Sequence, residues 1–290
     1  MTNFLRKLIA NGFVKGEQRI LDLQDLNRLV EIVNKLRSQQ LKRDDKLPFL
    51  QLAGANEELD LFLEKILSNE YVKENLKTIV GENYLMMSPC ARFSSPGDKG
   101  LELHQDAIGE TGLLFLLSSQ KKGSTVMLKS SHKFPGRISN YLSWNSNKLI
   151  NLISLISDNV TGEKGEHYYW FHKTWHGRKS NADNVEEHIS IFFPFFPQEA
   201  NRTDVAEENA PYIKKTENQY LKSLMTEKKQ ANDLKPNIET PICMKIEKFN
   251  FKDILNINFH IFLLKLLFLE FLFFPIRVLR IFKKLRFNSK

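Results

Sequence analysis

Between residues 83 and 197 the chain never holds one hydrophobic period for long. Short apolar runs are cut by Gly, Ser and Pro, and the clearest of them, 83–93, 101–106, 112–118, 124–129, 167–172 and 187–195, read as strands. Ahead of them the period is helical. Residues 20–38 place Leu23, Leu26, Leu29, Val30, Val33 and Leu36 on one face, with Asp25 as the expected cap. A second helical pattern covers 57–80, with a break expected near Ser68 and Asn69. Strands this short cannot each bury a face alone. Helices followed by such strands therefore predict an α+β chain built on an antiparallel sandwich or barrel.

With 290 residues, 42% hydrophobic and 26% charged, the chain has enough apolar material for one large domain with appendages. The expected division is a main domain over 1–198, with a helical lead-in over 1–82 and the barrel over 83–198. A polar, Lys/Glu/Asn-rich linker or helical extension over 199–250 and a tail over 251–290 follow. Residues 147–156, NKLINLISLI, read as a helical insertion between strands. Cys90 and Cys243 are the only cysteines and give neither a disulfide framework nor a paired-cysteine zinc site, which fits a reducing, cytoplasmic setting. The opening MTNFLRKLIANGFVKG is too short and polar for a secretory signal. The net charge of +8 is concentrated at Arg277, Arg280, Lys283, Lys284, Arg286 and Lys290 beside an apolar run, which argues for membrane phosphates and against nucleic acid.

Chemistry concentrates in LELHQDAIGETG, residues 101–112. His104 and Asp106 are two apart and so share one side of an extended strand. An isolated H-x-D is common in proteins that bind nothing, so a third ligand is needed. About 70 residues downstream, after a Gly162/Gly165 turn and the strand-like HYYWF, comes His176 beside Gly177. Two histidines and one carboxylate are the donor set of a non-haem Fe(II) facial triad, which leaves coordination positions open. His132 reads as a turn residue with a satisfied hydrogen bond.

Taken in order, NGFVKGEQRILDLQDLNRLVEIV, YVKENLKTIVGENYLM, LHQD, GSTVMLKSSHKFP and WHGRKSN resemble the phytanoyl-CoA dioxygenase-like family of Fe(II)/2-oxoglutarate oxygenases over about residues 10–198. The resemblance implies a double-stranded β-helix, the jelly-roll or cupin-like barrel. It implies Fe(II) on His104, Asp106 and His176, with 2-oxoglutarate and O2 as co-substrates and attack on an unactivated C–H bond. An aspartate at 106 favours hydroxylation over halogenation, because related halogenases carry a small residue there. Gln105 either lies close to the co-substrate, as its counterpart does in several relatives, or faces outward.

The family's arginine for the distal carboxylate of 2-oxoglutarate is missing: the ungapped position is Glu187. A one-residue shift aligns His188 and Ser190 with the family's Arg-x-Ser pair, but histidine cannot form the bidentate fork. Arg92, Lys129, Arg178 and Lys179 are the candidate replacement cations, Arg92 being favoured by its distance before H-x-D.

The tail segment FHIFLLKLLFLEFLFFPI, 259–276, is apolar almost all round. Its fourteen Leu, Ile and Phe residues favour bilayer insertion by roughly 4–8 kcal/mol, while Lys265 and Glu270 oppose it by about 5–7 kcal/mol, so the balance is near zero. With the basic amphipathic RVLRIFKKLRF behind Pro275, an in-plane anchor over 259–290 on an anionic cytoplasmic leaflet is expected; a helix packed on the barrel or at a dimer interface is the alternative. The expectation is thus a membrane-associated Fe(II)/2-oxoglutarate hydroxylase of a small-molecule or lipid-like substrate, such as a lipid-linked glycan. The rivals are a soluble small-molecule or acyl-thioester hydroxylase with a dimerising tail, and a catalytically silent barrel that binds or scaffolds.

Overall fold

The computed structural model describes residues 2–42, 47–98, 100–107, 109–120, 125–134, 158–179, 187–200, 202–226 and 241–246, with seven further positions between 260 and 271. The segment 147–156 and residues 272–290 lie outside the described residues.

Each early helix starts where a side chain satisfies an otherwise orphaned backbone N–H. Thr2 Oγ1 accepts from Leu5 at the head of α1 (Asn3–Asn11), and Gly12, at φ +87°, ends it in the left-handed conformation that glycine adopts without strain. In α2 (Leu23–Lys42) the carboxylate of Asp22 accepts the N–H of Asp25, so the cap stands three residues before the expected one. Asn56 caps α3 (Glu57–Ser68), and Asn69 caps α4 (Glu70–Val80). The break near Ser68 falls at Asn69, whose ψ of 129° leaves the helical region while its side chain restarts the next helix.

Eleven strands among the described residues form two antiparallel sheets: β1 (Phe13–Lys15), β2 (Phe49–Gln51), β3 (Tyr84–Met86), β4 (Cys90–Ser94), β5 (Leu101–His104), β6 (Thr111–Leu116), β7 (Thr125–Met127), β8 (Asp158–Asn159), β9 (His167–Phe171), β10 (His176–Arg178) and β11 (His188–Pro197). The large sheet runs β1-β9-β6-β11-β4-β2, with β3 also paired to β11; the small one runs β5-β10-β7-β8. From β4 onward the chain alternates between sheets, β4, β6, β9 and β11 entering the large one and β5, β7–β8 and β10 the small one. This winding is the double-stranded β-helix, or jelly roll, and with the helical lead-in it makes the chain α+β. Strands β1, β2, β8 and β10 are absent from the sequence reading. At two or three residues each they are too short to show a period.

Strand β11 shows how the two faces are assigned. Ile189, Ile191, Phe193 and Phe195 point into the core shared with α1–α4, whereas Phe192 points between the sheets with Leu114, Leu116, Met127, Tyr168 and Trp170. Burying an aliphatic or aromatic side chain of this size contributes roughly 1.5–3 kcal/mol. A one-residue slip would exchange those four for His188, Ser190, Phe192 and Pro194, so the register is strongly specified.

Within the stretch expected as a polar linker or helical extension, α5 (Thr203–Lys215) and α6 (Gln219–Met225) are packed helices, followed by the short α7 (Ile242–Lys245). Leu221, Leu224, Met225 and Cys243 enter the main core. Asn209, fully buried, donates to the carbonyls of Met86 and Met225 and accepts from the N–H of Ser88, which ties α5 to β3. The polar composition had hidden a few well-spaced apolar anchors.

Candidate metal centre

His104 is the last residue of β5, Asp106 lies just beyond it, and His176 opens β10, directly across the antiparallel pair from His104. One ligand-type atom from each of the three lies within 4.8 Å of the others. The two imidazole rings have centroids 4.4 Å apart. His104 Nε2 is 3.5 Å from Asp106 Oδ1 and His176 Nε2 is 3.4 Å from Asp106 Oδ2.

The second nitrogen of each ring fixes its chemistry. Nδ1 of His104 lies 2.8 Å from the carbonyl of Glu102, and Nδ1 of His176 lies 2.9 Å from that of Thr174. A carbonyl only accepts, so each Nδ1 carries the proton and donates it. In the neutral rings both Nε2 lone pairs then face the carboxylate of Asp106. Lone pairs aimed at an anion repel unless a cation stands between them, and this orientation by backbone carbonyls is how ligating histidines are held. Two nitrogens and an oxygen at this spacing fit a small divalent ion, whose bonds to such donors are about 2.0–2.2 Å long.

Asp106 is prepared in the same way. Its Oδ2 accepts from Trp170 Nε1 at 3.0 Å, and its N–H donates to the carbonyl of His172 at 3.0 Å. Burial raises the Asp106 carboxyl, but the attraction of His176, the hydrogen bonds from His104 and Trp170 and the charge of His104 outweigh it, holding the group below the usual carboxylate range. Burial also lowers His176, against the pull of Asp106. At His104 burial lowers the imidazole, yet the hydrogen bond and charge of Asp106, together with the hydrogen bond to Glu102, outweigh it and the net direction is up. A proton is the smallest cation this arrangement attracts.

Trp170 in turn depends on Gly112, its partner across β6 and β9. A Cβ at residue 112 would lie 2.4 Å from indole carbons of Trp170, so only glycine lets the ring lie where its N–H meets Asp106. Trp170 also stacks on Phe192, with centroids 5.2 Å apart and planes 16° apart. These second partners are not marked by the H-x-D pattern; the only trace of Trp170 in the sequence is its place in HYYWF.

The other sequence-nominated residues fall around this centre. Gln105 Nε2 donates to the carbonyl of Lys173 at 2.7 Å, bracing the exit of β5 against the turn before His176. Arg92 on β4 lies opposite Ser190 on β11, and Ser94 lies opposite His188. The guanidinium of Arg92 sits 4.4 Å from the centroid of Phe192, and its charge acts on both His104 and His176. Of the remaining candidate cations, Arg178 pairs with Asp98 and Lys129 with Asp158. Glu187 is turned to the hydroxyl of Ser95. His132 lies apart, its Nε2 donating to the carbonyl of Ile9 at 2.9 Å. Glu110, which the sequence reading passed over, is buried near this cluster; burial and the charge of Asp106 push it up to about 8, against Arg92 and Arg202.

No family model matches the sequence, and no curated protein matches it either. Solved structures share its fold. AviO1 from Streptomyces viridochromogenes Tue57 is 12% identical, with a TM-score of 0.52 over 67% of this chain and 93% of that one. HygX from Streptomyces hygroscopicus, solved with nickel and 2-oxoglutarate bound, is 12% identical, with a TM-score of 0.55 over 68% of this chain and 87% of its own. EctD from S. alaskensis with bound Fe is 11% identical, with a TM-score of 0.54 over 69% and 78%. At these identities the likeness is one of fold, over about two thirds of this chain.

Proposed function

We propose that this protein is a non-haem Fe(II)- and 2-oxoglutarate-dependent oxygenase that hydroxylates an unactivated C–H bond. The observation that carries the reading is the pair of histidines whose Nδ1 atoms are held by carbonyls and whose Nε2 atoms converge on a shielded carboxylate. That HygX was solved with nickel and 2-oxoglutarate, and EctD with Fe, on the same fold supports it.

His104, Asp106 and His176 would hold the ion on one side, leaving its other positions open. When bound, Fe(II) with 2-oxoglutarate and O2 supplies an oxidant strong enough to break a C–H bond, and the protein's part is binding, orientation and exclusion of water. The His104 side chain is 35% exposed and that of His176 only 7%, so the centre opens on the His104 side. Trp170, against Asp106 and His176, and Phe192 stacked on it lie on the dry side.

Arg92 takes the role of the missing arginine in this reading. It stands across from the Ser190 hydroxyl, so the cation and hydroxyl that the family places on one strand are assembled here from two. His188 flanks them on β11, and Gln105 braces the loop between the ligands.

The test is an anaerobic titration of Fe(II)-loaded protein with 2-oxoglutarate, followed by the weak visible charge-transfer band of a chelated centre. The band is expected in the unmodified protein. A charge-assisted hydrogen bond contributes about 1.5–3 kcal/mol, so Arg92→Ala is expected to weaken 2-oxoglutarate binding about 10- to 100-fold, with partial recovery in Arg92→Lys. Pyruvate, which lacks the distal carboxylate, is expected to bind both forms alike. Iron uptake with no band for any 2-oxo acid would sink the co-substrate and leave the metal site standing.

A further inference from the structure

Residues 260, 261, 263, 264, 267, 268 and 271 are helical. Ile261, Leu264, Leu267, Phe268 and Phe271 are 44%, 65%, 65%, 54% and 78% exposed. At about 100° per residue, these five fall, together with the exposed His260, within an arc of about 120° on one side of the helix. The other exposed large apolar residues among those described, Leu23, Leu41, Leu47, Phe49, Leu61 and Leu101, are scattered over α2, α3, β2, β5 and the approach to β2. Isolated exposed apolar residues are ordinary, but an apolar stripe is not.

Charge indicates what meets the stripe. Residues 272–290 contain six basic side chains and no acidic one, and they account for six of the chain's net +8 charges. We propose that residues 260–290 dock this protein flat on an anionic lipid bilayer, with the stripe from Ile261 to Phe271 entering the acyl boundary and the basic residues that follow meeting lipid phosphates. Apolar burial and charge attraction then act on the same surface. A second copy of the chain fits less well, because a two-fold contact would bring two uncompensated sets of six positive charges together. Among the described residues no helix is long and apolar enough to cross a membrane. Docking needs no metal, so it stands or falls apart from the oxygenase reading.

The experiment floats the full chain, without iron or 2-oxoglutarate, with vesicles of phosphatidylcholine alone or with about 30 mol% phosphatidylserine. Binding to the anionic vesicles is expected to exceed that to the neutral ones at least tenfold, and to fall as salt rises from about 0.1 M to about 0.5 M. Leu264→Asp with Phe268→Asp, and separately Lys283→Glu with Lys284→Glu, are each expected to lower anionic binding at least tenfold, with thermal unfolding of the barrel unchanged. Should the first pair fail to fold, Ile261→Ser with Phe271→Ser, expected to weaken binding in the same direction, replaces it. Failure to float with either vesicle overturns the proposal, as does salt-independent binding to both alike. A dimer in light scattering that the Leu264→Asp, Phe268→Asp variant splits, without vesicle binding, overturns it in favour of a second copy.

Discussion

The two sheets both carry histidines and treat them in opposite ways. In the small sheet, His104 and His176 have one nitrogen held by a backbone carbonyl and the other aimed at Asp106. In the large sheet, His167 is fully buried among Tyr71, Phe115 and Tyr169, with ring centroids 5.9, 6.4 and 5.4 Å away. Neither of its nitrogens has a hydrogen-bond partner among the described residues. Burial, helped by the charge of Lys15, pushes its pKa down to about 4, so it is a neutral packing group. The N-terminal segment lies directly on it: a Cβ at Gly16 would come within 1.9 Å of the ring. Burial is therefore no mark of a ligand. The mark is a side chain whose spare nitrogen has been oriented and left facing an anion.

The sharpest way to break this contrast is by substitution. Asp106→Ala and His176→Ala are each expected to lower Fe(II) affinity by more than about 100-fold, since losing even an outer partner of a ligand costs about 10–100-fold. His167→Phe is expected to leave that affinity within a few-fold. Equal losses from His167→Phe and His176→Ala in an anaerobic binding titration would abolish the distinction.

Acid gives the next largest effect, on stability. A histidine whose folded pKa is lowered is less protonated folded than unfolded at intermediate pH, so acid favours unfolding. Its effect is absent above about pH 6.5 and grows as pH falls towards 4. His167 alone is expected to lower stability by about 2 kcal/mol at pH 5 relative to pH 7, read from urea midpoints. His167→Phe should flatten that part of the profile; an unchanged slope would show that the ring is not the group responsible.

A finer test concerns the outer partners. Trp170→Phe keeps the ring stack on Phe192 but removes the donor to Asp106, and is expected to weaken Fe(II) binding about 10- to 100-fold. Gly112→Ala should act in the same direction by displacing the indole. Wild-type affinity in Trp170→Phe would reduce the tryptophan to a packing role.

Much of this architecture was legible because it rests on local chemistry. The helix restart at Asn69 follows from capping, and the β11 faces follow from alternation in HISIFFPFFP. The H-x-D pair and the distant H-G could be nominated from spacing, and Arg92, His188 and Ser190 from resemblance. What could not be read arises between distant segments. β10 is three residues long, the Trp170–Gly112 contact depends on cross-strand register, and the covering of the barrel by α5 and α6 is invisible in a composition rich in Lys, Glu and Asn.

The direct pairing of His176 with His104 across β10 and β5 has a consequence for how the chain assembles. Successive side chains along a strand point to opposite faces, so a slip of one residue turns one imidazole away from the other. The partners come from segments about 70 residues apart, and such non-local pairs close slowly compared with helices. On the proposed metal reading the centre would proofread strand order: ion binding is expected in a refolding chain only once the small sheet has closed in register, so its half-time after dilution from denaturant would clock that closure.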